Sequence, residues 1–260
     1  MRNPTDAVPN TVPVLCVDLD GTLVMTDTLV ETLFAFIRHH PLLIPLIPIW
    51  LLQGRFHLKM KLAERVPFSA ATLPYNEDLL SHIRELRSAG VKIVLATGAN
   101  RLIASRVADH LGLFDEVLAS DDTRNLTGST KAKLLAEKYP AFEYAADSWK
   151  DVPVWLHSKS AIVVSSSAKI LTHLARHSIP ARSMAGKPKS GFSVWLRVIR
   201  IHQWVKNLLI FLPMLTSHRL LEWPTFGFAS VGFLSFSLCA SGTYLINDLL
   251  DVQADRSHPR

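Results

Sequence analysis

Twenty-two consecutive residues, Thr225 to Ile246 (TFGFASVGFLSFSLCASGTYLI), carry no charge. A helix rises about 1.5 Å per residue, so a run of this length reaches across the hydrocarbon layer of a bilayer. Ser237, Ser241 and Gly242 within it are small enough to let a neighbouring helix approach closely. Ahead of it, WVKNLLIFLPML is apolar from Leu208 and basic on its leading side, which predicts a first membrane helix that starts at the interface. The apolar surplus of the chain (48% hydrophobic, mean hydropathy +0.21) gathers after Trp204 and near residues 41–52. Because 260 residues exceed what one core usually organises, two unlike domains are expected.

From Val12 to about Ile179 short apolar runs alternate with helical segments, as in a parallel sheet with crossover helices. VPVLCV, VKIVLA, DEVLA, FEYAA and SAIVV read as strands. DTLVETLFAFIRHH, NEDLLSHIRELRSAG, NRLIASRVADHLGLF and TKAKLLAEKY read as helices, with Gly90 as a helix stop before the strand at Val91. An insertion at about 27–88 is expected to be a helical cap. Its apolar stretch Leu42 to Leu52 is too short to span a membrane and is interrupted by Pro45 and Pro48, so it is either part of the cap or an interfacial segment. Residues 181–193, rich in Gly, Ser, Lys and Pro, read as a linker. The expected fold class is therefore α/β, a Rossmann-like parallel sheet with a helical cap over 1–180, followed by an all-α transmembrane segment of two helices over 194–260.

The run CVDLDGTLV places Asp18 and Asp20 at the end of the first strand. Attack of a carboxylate on a phosphate ester needs a cation to neutralise the assembly, and Mg2+ does this with oxygen ligands alone. One aspartate can form an aspartyl phosphate while a second protonates the leaving oxygen and later activates water. Gly21 loosens the strand end so that the two can face differently. Thr97, after the next strand, and the N–H groups ahead of the following helix can hold a phosphoryl oxygen. Lys131 stands at a helix start, where a compact ammonium pairs with nucleophile and phosphate. Asp147 and Asp151 follow a further strand and can complete a metal shell. In an open α/β sheet these strand ends converge on one crevice.

Over roughly residues 12–180 this set resembles the haloacid dehalogenase-like phosphatase superfamily. The resemblance implies Asp18 as nucleophile, Asp20 as general acid/base, Thr97 and Lys131 as phosphate holders, and Asp147 with Asp151 as the acidic metal pair. The insertion after Asp27 corresponds to that family's cap. Ala146 stands where the family usually has Gly before the third acid.

A second acidic set, Asn247, Asp248, Asp251 and Asp255, follows the apolar run directly. Continued as a helix, spacings of three and four put these residues on one stripe, near a helix C-terminus that disfavours anions. A cation should offset them, and Mg2+ bound to diphosphate fits, with Arg256, His258 and Arg260 near enough to hold phosphate. Asn-Asp-x-x-Asp-x-x-x-Asp-x-x-His-Pro resembles the first aspartate-rich motif of UbiA-type intramembrane prenyltransferases, and RIHQWVKNLLIFLPML resembles the start of their first helix. The form is similar to the branch that joins polyprenyl phosphate to phosphoribosyl diphosphate. This resemblance, over roughly Trp195 to Arg260, implies Mg2+-diphosphate binding by the four residues and a phosphate contact by Lys206. The second motif and remaining helices of that family lie beyond the chain, so the transferase half is expected to be inactive as given.

The formal charge of +6 comes from scattered basic residues without aromatic platforms, which argues against nucleic acid as partner. Arg182, Lys187, Lys189, Arg197, Arg200 and Lys206 read as the cytoplasmic flank of a membrane segment. Cys16 and Cys239, in unlike settings, suggest no disulfide. The polar N-terminus shows no secretory signal, so the first domain is expected in the cytoplasm at the inner or plasma membrane, with both acidic sites on that side and the loop His218 to Trp223 outside. Three functions remain open. The first is a phosphohydrolase that removes a phosphate made or used by the transferase, a phosphorylated polyprenyl product being one candidate. The second is a transferase with a regulatory phosphatase-like domain. The third is a membrane-anchored phosphatase.

Overall fold

The computed structural model describes residues 14–121, 124–165, 167–186, 191–217 and 222–257. The chain divides into two units, Met1–Lys187 and Pro188–Arg260. The first unit runs β1 (Val14–Val17), α1 (Thr28–His39), α2 (Leu46–Leu52), α3 (Arg55–Arg65), α4 (Glu77–Ser88), β2 (Lys92–Asn100), α5 (Arg101–Leu111), β3 (Glu116–Ser120), α6 (Gly128–Lys138), β4 (Phe142–Ala146), α7 (Val152–Trp155), β5 (Ser160–Val163), α8 (Ala168–Arg176) and β6 (Ala181–Ser183). Its strands form one six-stranded sheet in the order β3-β2-β1-β4-β5-β6. All neighbouring pairs are parallel.

Both faces of this sheet are covered, which is why its strands read as unbroken apolar runs. Alternation along each strand sorts the side chains. Leu15, Val17, Ile93 and Leu95 pack with Leu79, Leu80 and Ile83 of α4 and Ile103 and Val107 of α5. Cys16, Val94, Tyr144 and Val163 point the other way, into Leu135 of α6, Trp155 of α7 and Ile170 and Leu174 of α8. The strand order reverses at β1, between β2 and β4, so the crevice at the carboxyl ends opens beside the end of β1.

The cap has a core of its own, in which Phe36 of α1, Trp50 of α2 and Leu58 and Leu62 of α3 are buried together. The last helix of the expected insertion, α4, does not belong to it. Its apolar side seals the sheet, so the separately packed cap ends before that helix. The stretch read as a linker also begins differently, because Ala181–Ser183 is a sixth strand paired with β5. The β-branched Ile179 and the Pro180 carbonyl, which accepts from Ala161 N–H, lead the chain back to the sheet edge before the Gly-Lys-Pro composition starts.

The second unit comprises α9 (Phe192–Val198), a 3-10 helix Ile201–Phe211, α10 (Leu212–Thr216) and α11 (Trp223–Ser257). Among the described residues one helix is long and apolar enough to cross a membrane, over Trp223–Val252, and it contains the uncharged run. The first expected membrane helix is instead a 3-10 segment continued by the short α10. Pro213, with no N–H to give, stands at the change from one to the other, in the first turn where proline is tolerated. The serines do bring a neighbour close: Asn207 donates to Ser237 Oγ at 2.9 Å, Trp204 Nε1 to Ser241 Oγ at 3.0 Å, and Ser241 Oγ to the Ile199 carbonyl at 2.6 Å.

Candidate active site

Asp18 is the first residue past β1, and its N–H donates to the Ala145 carbonyl of β4 at 2.9 Å, which extends the parallel ladder one step and fixes the side chain over the switch point. Gly21 then turns the chain with φ +79, a left-handed conformation that favours glycine. A Cβ there would stand 2.3 Å from Asp147 Oδ2, so the β1 loop and the β4 loop touch only because residue 21 has no side chain.

The centre of the site is Lys131. Its Nζ lies 3.0 Å from Asp18 Oδ1, 3.0 Å from Asp151 Oδ1 and 2.6 Å from the Tyr144 hydroxyl. Tyr144 in turn donates to Asp151 Oδ1 at 2.9 Å, and the Ser148 hydroxyl to Asp151 Oδ2 at 2.8 Å. Lys131, Asp18 and Asp151 are all buried, and Asp147 is partly exposed. Asp20 points elsewhere, with Oδ1 accepting from Thr28 N–H at 2.7 Å at the start of α1. Thr97 Oγ accepts from Ala99 N–H at 3.0 Å, so its own hydrogen stays available for a phosphoryl oxygen. Asp18, Asp20, Thr97, Lys131, Asp147 and Asp151 line a cavity of about 270 Å³ together with Asp27, Lys59, Gly98, Gly128, Ser148 and Lys150.

Burial dominates the electrostatics. It pushes the Asp18 carboxyl up to about 7; Lys131 opposes this, and the charges of Asp151 and Asp20 add to it. Asp20 is also raised by burial, against the hydrogen bond from Thr28 and with help from Asp27. Lys131, which burial alone would depress, is held above its ordinary value by Asp18 and Asp151.

The donor set suits Mg2+. Asp18, Asp147 and Asp151 each present an oxygen within 4.8 Å of the others, all hard ligands. The cavity wall holds the carboxylates of Asp18, Asp20, Asp27, Asp147 and Asp151 against the ammonium groups of Lys59, Lys131 and Lys150. With Asp18 ionised beside Asp147 and Asp151, a phosphate dianion would meet three close carboxylates, and a cation among them offsets that repulsion. Gathering Asp18, Asp20, Thr97, Lys131, Asp147 and Asp151 into one crevice is what their strand-end positions predict. Lys59 joins the cavity wall, and the buried Tyr144 bonds to Lys131 and Asp151, neither having been singled out. The strand FEYAA signals only a buried tyrosine, and Lys59 of α3 reaches the Gly98 carbonyl at 3.0 Å from the cap.

The second acidic set is on one continuous helix, α11. Its offsetting cation in this structure is a guanidinium: Arg200 holds both oxygens of Asp248, at 2.8 and 2.7 Å, and lies over the Tyr244 ring. Arg200 adopts φ 54, in the left-handed region, to do so. Asn247 donates to Asp251 Oδ2 at 3.2 Å. Asp255 and Arg256 lie in the last turns of α11, and Lys206 donates to Gln203 Oε1 at 3.0 Å. Among the described residues the C-terminal acids do not gather as the first set does: Asp248 and Asp255 are seven residues apart on one helix, about 10 Å along its axis, and Asp248 is engaged by Arg200. His258, Arg260, Lys187, Lys189 and most of the His218 loop lie outside the described residues.

Residues 15–155 match the family model of haloacid dehalogenase-like hydrolases. The uncharacterized protein y4nM of Sinorhizobium fredii is 38% identical over 97% of this chain and 49% of its own length, so the chain spans about half of that relative. The decaprenyl-phosphate phosphoribosyltransferase of Mycolicibacterium smegmatis is 40% identical over 34% of this chain and 28% of its own length. Among solved structures, a substrate-bound phosphoserine phosphatase aligns with TM-score 0.43 and 16% identity over 65% of this chain and 91% of that one.

Proposed function

This chain belongs to the haloacid dehalogenase-like hydrolase family, and from that premise we propose that its first unit is a Mg2+-dependent phosphomonoesterase with Asp18 as nucleophile. The observation that carries the reading is the convergence of the Asp18, Asp147 and Asp151 carboxylates at the switch point of the sheet, with Lys131 bonded to Asp18 and Asp151.

The residues divide the work as follows. An Asp18 oxygen attacks phosphorus, and the bond to the leaving oxygen breaks as Asp20 delivers its proton there. Burial raises Asp20, which favours the protonated form that a general acid needs. Lys131, the Thr97 hydroxyl and the N–H groups after Thr97, ahead of α5, hold the phosphoryl oxygens. Asp20, now a carboxylate, takes a proton from water, which attacks phosphorus and frees Asp18 with inorganic phosphate. Asp151, bonded to Lys131, Tyr144 and Ser148, positions the lysine. Bound through Asp18 and Asp147, Mg2+ would supply charge neutralisation for the phosphoryl group.

We further read the phosphoester as lipid-borne. A phosphoribosyl group transferred to polyprenyl phosphate brings a phosphomonoester with it, and the M. smegmatis relative is named for that transfer. A phosphatase on the same polypeptide as the start of such a transferase would remove that phosphate. Asn247, Asp248, Asp251 and Asp255 are proposed, by their resemblance, as the diphosphate-facing residues of the transferase half, with Lys206, Arg256, His258 and Arg260 for phosphate. In this structure Asp248 is held by Arg200. The same reading places α11 in the membrane and the first unit on the cytoplasmic side. Phosphate release from phosphoribosylated polyprenyl phosphate, compared with ribose 5-phosphate, tests the substrate. Preference for the soluble ester would contradict it.

A further inference from the structure

The cap carries apolar side chains that its own core does not use. Trp50 is buried against Phe36, ring centroids 5.5 Å apart, and anchors α2, while Leu43, Leu46 and Ile47 pack partly on the same cluster. The other side of the segment is bare. Leu42 is 92% and Leu52 89% exposed, and Ile49 and Leu51 are each 49% exposed. Ile49 and Leu52, three apart, share a face of α2, and Ile44, Pro45 and Pro48 stand exposed beside them. A soluble monomer rarely exposes such a cluster, and burying it would be favourable wherever a partner exists.

Charge and chain connection identify the partner. Between Thr32 and Ala63 the sequence has no Asp or Glu, and its basic side chains include the exposed Arg38 and Arg55 with His39, His40 and His57, while Lys59 turns to the Gly98 carbonyl in the cavity and Lys61 pairs with Glu64. Apolar side chains flanked by basic ones suit a bilayer interface, where the former enter the acyl boundary and the latter meet anionic headgroups. The same polypeptide carries the candidate span Trp223–Val252, which keeps the cap at high local concentration near lipid. We propose that residues 41–52 are a membrane-docking surface, through which the cap rests on the headgroup layer of an anionic bilayer. This rests on the reading of α11 as membrane-embedded. It gives the cap a means of meeting a phosphoester whose lipid tail never leaves the membrane.

The test is fluorescence quenching of the full chain in nanodiscs containing anionic lipid, with a spin label shallow in the acyl chain. A polarity-sensitive dye on the native Cys239, which is exposed on α11, reports whether that helix is in lipid; Cys16 is buried and stays unlabelled. In a Cys239→Ser background, Leu42→Cys, Leu52→Cys and the exposed control Glu137→Cys carry the dye singly. Quenching at 42 and 52 at least about twofold above that at 137, and weaker in neutral lipid, is expected. Quenching at Cys239 with none at 42 and 52 overturns the docking surface alone. No quenching at Cys239 overturns the membrane reading beneath it. Disulfide cross-linking between two Leu52→Cys chains, without lipid quenching, assigns the surface to a second copy and also overturns the proposal.

Discussion

Asp18 is buried beside Asp151 with Lys131 as its bonded cation. Its folded pKa, about 7, stands above the ordinary 3.8 because burial penalises the charge. The stability linked to this group is therefore full below 3.8 and lost as pH rises through about 7. Mg2+ binds the ionised form, so added Mg2+ should raise the melting temperature more above pH 7 than below it. Asp18→Asn should remove most of that metal-dependent shift; an equal shift in the variant, measured by thermal denaturation, would speak against Asp18 as a ligand. Glu116 shows the opposite sign. Burial raises it, but bonds from Lys138, Tyr139 and Lys92 outweigh this and hold it down to about 2. Its contribution is present above 4.5 and lost as pH falls through about 2. Glu116→Gln should flatten the acid limb of the stability profile over that window, and an unchanged limb would show that this cluster is too solvated to matter. Tyr144→Phe removes a bond from Lys131 and one to Asp151, at a net cost of about 1–3 kcal/mol in stability and lower turnover with substrate affinity little changed. The acids, Thr97 and Lys131 were legible because each follows an apolar run at a strand end or opens a helix. Tyr144 was not, because its place in a strand fixes its face but not which lysine packs beneath it.

At the scale of elements, every strand that reads as a continuous apolar run is present, since burial on both faces leaves that imprint. β6 was hidden by its composition: Ala181, Arg182 and Ser183 are all exposed at the sheet edge and have no apolar signature. What holds that edge is partly Asn76. Its Oδ1 caps α4 by accepting from Leu79 N–H at 3.2 Å, and its Nδ2 donates to the Ala185 carbonyl at 2.9 Å. Asn76→Ala should cost about 1–2 kcal/mol, read as a lower melting temperature, while Asn76→Asp should recover the cap but not the second bond. Equal stability of the three forms would contradict both roles. The 3-10 segment Ile201–Phe211 was likewise not legible. Hydrophobicity predicts burial, and it does not distinguish i+3 from i+4 hydrogen bonding.

For the whole molecule, the division into two units follows from a change of sequence regime, apolar runs punctuated by charged helices giving way to long uncharged stretches. Which cation meets Asp248 was not legible, because Arg200 is 48 residues away and reaches it through an uncommon backbone conformation. The proposed topology has Asp18 and Asp248 facing one compartment. Cysteine-accessibility mapping in sealed vesicles should find both regions on the same side, and opposite sides would refute it. The most direct measurement is phosphate release by the full chain in bilayers containing phosphoribosylated polyprenyl phosphate, with and without Mg2+, beside Asp18→Asn. The account predicts Mg2+-dependent release that the substitution lowers by a factor on the order of 10⁴ or more. Release that persists in Asp18→Asn, or a folded, Mg2+-binding protein that releases no phosphate from this lipid or any other phosphomonoester, would contradict it.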